Sequence, residues 1–220
     1  MFTHCPPKVI PDLQSQTFPD GKRYYVTPKG VKLPSVTTVV GAMKKQHILE
    51  WRSRVGEVEA NRVSRAASGR GNRVHNLAER FLKNESIDWR KEMPDAAAMF
   101  HSIAKEFRHI DNIHYLEQSL WSERIGLAGR VDLIAEWKGK LSVIDFKTSS
   151  KIKKEEDIQD YFAQCVAYAS MYEEQVGVPI DQIVILMGVE GSAPLIFVKE
   201  TGDYVDTLLE HITFYKNNKV

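Results

Sequence analysis

GLAGRVDLIAEWKGKLSVIDFK, residues Gly126–Lys147, is the stretch that decides the fold. It predicts two β-strands joined by a tight turn. Asp132 falls on the first strand, and Asp145, Phe146 and Lys147 end the second. Alternation along a strand sends Asp145 and Lys147 to one face and Phe146 to the other. Leu141 and Val143 share the parity of Asp145, while Ile144 goes with Phe146. Both faces are therefore largely apolar, the pattern of a buried central strand. Such a strand does not ordinarily end in Asp-x-Lys, because unpaired buried charge is costly. Two carboxylates held together need a cation. Lys147 is a partial answer, and a hard divalent ion such as Mg²⁺ or Mn²⁺ a better one. Taken alone, Asp-x-Lys is better read as a structural ion pair on an ordinary hairpin, since the tripeptide is common by chance.

Composition sets outer limits. The chain has 220 residues, is 43% hydrophobic and 27% charged, and has a net charge of +1. These values describe a globular protein without a global basic field for nucleic acid. Two cysteines, Cys5 and Cys165, are too few for a four-cysteine zinc or iron–sulfur site, and they fit a reducing compartment. No apolar run is long enough to cross a membrane. The N-terminus, MFTHCPPKVIPDL, reads neither as a signal peptide nor as an Arg-rich transit peptide.

Upstream of the central stretch, residues 1–16 are broken by proline and are expected along the surface. FPDGKRYYV predicts a hairpin turning at Asp20–Gly21. Ser35, after Pro34, suits a helix cap or a phosphate contact. Residues 41–80 have a helical pattern and carry nine Lys/Arg against four Glu, including Lys44, Lys45, Arg70 and Arg73. That local excess is where a polyanion would be held. Trp51 within it is expected in the core. Gly69 and Gly71 are expected to break one helix and start another. His75 and Glu79, four apart, share a helix face, and Leu82 and Val74 lie near it, so His75 points inward, as a core histidine or a ligand.

Residues 95–109 predict an amphipathic helix with Phe100, Ile103, Ala104 and Phe107 on its apolar stripe. Residues 117–123 predict a strand leading into the central hairpin, and 157–176 a helix with Gln164 and Tyr168 four apart. Strands over 183–188 and 195–198 and a helix over 204–215 close the chain.

Five motifs now stand in order: PSVT at 34–37, GxxxH ending at His75, GRVD ending at Asp132, IDFKTS at 144–149, and QxxxY from Gln164 to Tyr168. In this order they resemble the RecB-like exonuclease branch of the PD-(D/E)xK nucleases, the group of the mitochondrial genome maintenance exonucleases and their phage and bacterial relatives. The likeness covers roughly residues 33–200 and is specific through the motifs together rather than any one alone. It implies an α/β restriction-endonuclease-like core, a central mixed β-sheet flanked by helices, with a helical N-terminal annex. The expected organisation is a single nuclease domain over 1–220, with the annex at about 41–110 and the sheet core at 117–200.

By this resemblance, His75, Asp132, Asp145 and the Phe146 backbone carbonyl hold Mg²⁺ or Mn²⁺, with Glu79 at a second metal in some branches. Lys147 orients or activates the attacking water, and Gln164 and Tyr168 position the lysine or the phosphate. Ser35, Thr37, Lys44, Lys45, Arg70 and Arg73 meet DNA. Asp145 stands where other branches have Glu, and Val131 precedes Asp132 where others have Pro. The implied activity is metal-dependent exonuclease action on DNA, single-stranded and with a free end. The expected setting is replication, recombination or repair in the cytoplasm of a bacterial or phage-infected cell, alongside replication or recombination proteins. The competing readings are a structure-specific endonuclease and a nuclease-fold binding or recruitment subunit.

Overall fold

The computed structural model describes residues 1–19 and 21–218. Asp20 of the expected first turn lies outside the described residues. The strands flanking that turn are present: β1 (Ser15–Thr17), β2 (Arg23–Val26) and β3 (Lys32–Pro34) form a small antiparallel sheet. Helices α1 (Val36–Gly41), α2 (Lys45–Val55), α3 (Glu57–Leu82) and α4 (Pro94–Ala104) follow. The apolar stripe expected over 95–109 continues past α4 as a 3₁₀ turn, Lys105–His109, which keeps Phe107 buried.

The main sheet takes its strands from β4 (Ile110–Ser122), β5 (Leu127–Trp137), β6 (Lys140–Ser149), β7 (Gln182–Val189) and β8 (Leu195–Glu200), in that spatial order. Only β6 and β7 are parallel. They need a crossover, and α5 (Gln159–Val176) supplies it. Helix α6 (Val205–Asn218) closes the fold. The β5–β6 turn is the two-residue pair Lys138–Gly139, both at positive φ (52° and 78°), the backbone twist that suits a tight hairpin.

β6 is the middle strand, and its alternation works as the sequence suggests. Val143 packs with Ile183, Ile185 and Met187 beneath α5, α1 and α6. Ile144 and Phe146 pack with Val184 and Leu186 beneath α3 and α4. Helices thus cover both faces, giving three layers. The close fit of α4 on β7 needs Gly188, where a Cβ would come 3.1 Å from the Met99 carbonyl oxygen.

Two expectations are corrected. Gly69 and Gly71 do not break a helix: α3 runs unbroken through both. Its second half buries Val74, Leu77, Ala78 and Leu82. Burying four apolar side chains at roughly 1.5–3 kcal/mol for each larger one outweighs the ~1 kcal/mol helix penalty of each glycine. Trp51 is half-buried rather than in the core, since α2 has no buried residue and packs mainly on α3. Among the described residues no helix is long and apolar enough to cross a membrane.

Candidate active site

The site forms where the β5–β6 ladder gives out. The last paired residues are Leu133 and Ile144. Beyond them the Phe146 amide donates to Asp132 Oδ2 at 2.8 Å, so a side chain replaces a ladder acceptor. That bond fixes the Asp132 carboxylate beside the end of β6, at the wall of a cavity of about 750 Å³ between the sheet, α3 and α5.

Asp145 is 2% exposed. Its Oδ1 accepts from Gln164 Nε2 at 2.8 Å. Its Oδ2 is held against the Lys147 ammonium as an ion pair but receives no well-aligned hydrogen bond. Lys147 lies over the Tyr161 ring, Nζ 5.0 Å from the centroid. Gln164 and Tyr168 project from one face of α5, as their spacing requires. Tyr168 presses on Gly129 of the GRVD motif so closely that a Cβ there would sit 2.7 Å from the tyrosine oxygen. The sequence offers no reason for that glycine; the packing does.

His75 enters from α3, with Nδ1 3.4 Å from Asp132 Oδ1 and its ring edge-on to Phe146. The electrostatics follow from these pairings. Burial pulls the His75 pKa down, but the Asp132 carboxylate more than offsets this, leaving it at about 9. Burial raises Asp132, yet His75, Lys147 and the Phe146 amide hold it below the usual carboxylate range. Asp145 is pushed up to about 6 by burial, with Asp132 repulsion adding and Lys147 opposing. Burial also works against the Lys147 charge, but Asp145 and Asp132 outweigh it, so the lysine stays an ammonium.

The other expected residues are distributed unevenly. Glu79 lines the cavity one turn beyond His75, with Oε1 2.6 Å from Lys83 Nζ. Ser35 and Thr37 line it too, but the Ser35 hydroxyl caps α1, accepting from the Thr38 amide at 3.1 Å. Lys44 is not in the cavity wall but pairs at 2.6 Å with Asp160, which is. Lys45 lines a neighbouring hollow of about 410 Å³ that shares Arg23, Thr37 and Gly41 with the main cavity. Arg70 and Arg73 are not in the cavity wall; they approach Glu190 and Asp95 at 3.4 and 3.5 Å.

Several cavity residues, Asp160, Tyr161 and Glu117 among them, escaped the sequence reading. Leu116 pairs with Leu133 and Gln118 with Val131, so Glu117 faces Asp132 across β4 and β5. Glu117 rises to about 7, through burial and then Asp132 repulsion. Like charges on facing strands are the signal, but it exists only once the register is known.

A divalent cation fits this donor set. Ligand atoms of His75, Asp132 and Glu117 lie within 4.8 Å of one another, and the buried Asp145 Oδ2 is short of hydrogen bonds. Oxygen-rich donors with one imidazole suit Mg²⁺ or Mn²⁺.

Comparison with known proteins finds related chains. The chain is 30% identical over 130 residues to mitochondrial genome maintenance exonuclease 1 of Homo sapiens, covering 55% of this chain and 38% of that protein. It is 33% identical over 84 residues to the Mus musculus protein of that name, covering 38% and 25%. The chain thus spans well under half the length of these relatives. A solved structure from Eubacterium rectale, provisionally assigned as an exonuclease, overlays with a TM-score of 0.46 at 11% identity, covering 68% of this chain and 65% of that one, too distant to carry an argument. The family described as the PD-(D/E)XK nuclease superfamily matches residues 44–212, most of the chain including every charged group of the cavity apart from Arg23. The chain belongs to the PD-(D/E)XK nuclease superfamily.

Proposed function

We propose that this protein is a Mg²⁺- or Mn²⁺-dependent DNA exonuclease, acting on single-stranded DNA with a free end in phage or bacterial replication, recombination or repair. It would work in the cytoplasm, alongside replication or recombination proteins, as one nuclease domain. The observation that carries the reading is the convergence of Asp132, Asp145 and Lys147 at the splayed end of β5 and β6, where Asp132 and Lys147 line one cavity with His75 and Asp145 is buried against Lys147.

His75, Asp132, Asp145 and the Phe146 carbonyl would hold the ion, which when bound supplies Lewis-acid stabilisation of the phosphate charge. Attack of water on phosphorus would break the bond to the 3′-oxygen, which leaves as a hydroxyl on gaining a proton as the water gives one up, so the product strand carries a 5′-phosphate. Asp145 and Asp132 favour the Lys147 ammonium, and Nζ would orient or activate the water and offset charge on the phosphoryl oxygens. Gln164 fixes the Asp145 carboxylate through Oδ1. Tyr168 lines the cavity with Ser35 and Thr37, Lys45 lines the neighbouring hollow, and these residues with Lys44, paired to the cavity residue Asp160, would flank the strand's approach.

The test is digestion of end-labelled linear and closed circular DNA, single- and double-stranded, with Mg²⁺ and with EDTA. The reading expects metal-dependent loss of linear single strands while circles survive. Equal degradation of circular and linear single strands rules out the need for an end, and cutting in EDTA rules out the metal.

A further inference from the structure

We propose that Glu117 is an additional protein ligand to the cation at this site, presented on a strained residue that an Asp12–Arg130 pair clamps in place. The inference rests on the metal-nuclease reading above but adds a residue, Glu117, that none of the five motifs contains, and a positioning device that joins Arg130 of GRVD to Asp12 outside them.

Glu117 has φ +50°, the left-handed region, which is unfavourable for any residue with a Cβ. Strain of that kind persists where surrounding bonds over-determine it, and it concentrates at binding sites. Here the determining bonds are visible. The Arg130 Nη1 atom donates to the Glu117 carbonyl oxygen. Arg130 Nη2 donates to both Asp12 carboxylate oxygens, at 2.8 and 2.7 Å. Asp12 is itself tied to β4, accepting from the Ser119 hydroxyl at 2.7 Å. The next residue of the N-terminal strap, Leu13, donates its amide to that same hydroxyl at 2.6 Å. The strap therefore fixes the guanidinium, and the guanidinium fixes the main chain of Glu117.

The carboxylate so presented joins His75 and Asp132 in one donor group. Among the described residues it makes no hydrogen bond or ion pair, and it faces like charge from Asp132 and Glu79, which His75 and Arg130 oppose from beyond pairing distance. A purely structural glutamate would instead pair with Arg130, which lies beside it yet spends its bonds on Asp12 and the backbone. Glu117, Asp132 and Asp145 form a row across three adjacent strands, and a cation in front of that row removes the repulsion between them.

The experiment is Mn²⁺ binding to the full chain without DNA, followed by calorimetry, together with the melting temperature of the metal-free protein. Glu117→Gln is expected to weaken Mn²⁺ binding by about tenfold or more, and Asp12→Asn, which loosens only the clamp, by a smaller factor. Glu117→Gly removes the carboxylate and relaxes the backbone, so it should lose Mn²⁺ affinity while raising the metal-free melting temperature. Wild-type Mn²⁺ affinity in both Glu117 variants, with affinity lost in Asp132→Asn, overturns the inference and leaves the metal-nuclease reading standing. Absence of Mn²⁺ binding by the wild-type protein overturns both. A metal-free melting temperature that falls in both Glu117 variants, with Mn²⁺ affinity unchanged, would mark Glu117 as structural.

Discussion

Gly129→Ala should damage the site through packing alone. The added Cβ would lie 2.7 Å from Tyr168 Oη, 2.9 Å from Cε1 and 3.2 Å from Cζ. Comfortable contact begins near about 3.5 Å, so the ring end must retreat by roughly 0.6–0.8 Å. Tyr168 is 2% exposed and its ring is seated in the core beneath α5, so the retreat disturbs its neighbours. Overpacking of this kind costs about 1–3 kcal/mol, while replacing glycine by alanine within a strand returns about 0.5–1 kcal/mol. The overpacking wins. A net loss of roughly 1–2 kcal/mol corresponds to a melting temperature lower by about 2–8 °C in a domain of this size. Nuclease activity should fall further than stability does, because the displaced tyrosine lines the cavity. The assay is urea denaturation with a double-mutant cycle against Tyr168→Ala. Once the ring is gone, the Gly129 substitution should cost nothing, giving a coupling of about 1 kcal/mol or more. Gly41→Ala is the control, since a Cβ there meets nothing within 4 Å. Wild-type stability in Gly129→Ala, or strict additivity in the cycle, would falsify the argument.

Lys147→Met should bind DNA almost normally and cut it slower by about 10²–10³-fold, because the charge facing the phosphate is gone. Near-normal cutting removes Lys147 from the chemistry. Gln164→Leu strips the 2.8 Å bond from Asp145 Oδ1 and should lower stability by about 1–3 kcal/mol, read from the urea midpoint; an unchanged midpoint means the bond is dispensable. His211 on α6 is buried and its pKa is held below 6.5 by desolvation, with the Lys44 charge assisting against Asp160 and Glu210. The unfolded chain therefore takes up the proton first as the pH drops. This contribution to stability is complete above 6.5 and declines between 6.5 and the lowered folded value. His114, also shifted down by burial, acts in the same direction. His211→Asn should flatten the pH dependence of the urea midpoint over that window, and a slope identical to wild type would contradict the burial argument.

What the sequence made legible was local. The β6 strand announced itself through two apolar faces ending in Asp-x-Lys, and α5 through a helical period that necessarily places Gln164 and Tyr168 together. What local sequence could not supply depends on distant partners. Arg70 and Arg73 sit in a basic stretch, but a charge count cannot say which face of α3 they occupy. Their partners, Glu190 and Asp95, lie 120 and 22 residues away. Glu117 looks like an ordinary strand residue until the β4–β5 register sets it opposite Asp132. Trp51 looked like core because tryptophan usually is, yet α2 lies on α3 with no second layer above it. Gly69 and Gly71 looked like breaks because propensity is local, whereas the packing that overrides it belongs to the later half of α3.

Asp132 shows why fold and chemistry are hard to separate in this site. Its Oδ1 faces His75 and belongs to the donor group, while its Oδ2 accepts the Phe146 amide that the ladder has left without a carbonyl partner. Asp132→Ala therefore removes a candidate ligand and also strands a buried N–H, at about 1–3 kcal/mol. Lost activity in that variant would not distinguish a dead site from a strand end that has come loose. Asp132→Asn keeps an amide oxygen for the Phe146 N–H and the shape of the side chain, and removes the charge that draws His75 and any cation. If Asn preserves the melting temperature and abolishes cutting while Ala lowers both, the two duties of this carboxylate are resolved, and the splayed end of β5 and β6 is itself the device that turns an acidic strand residue outward to the substrate.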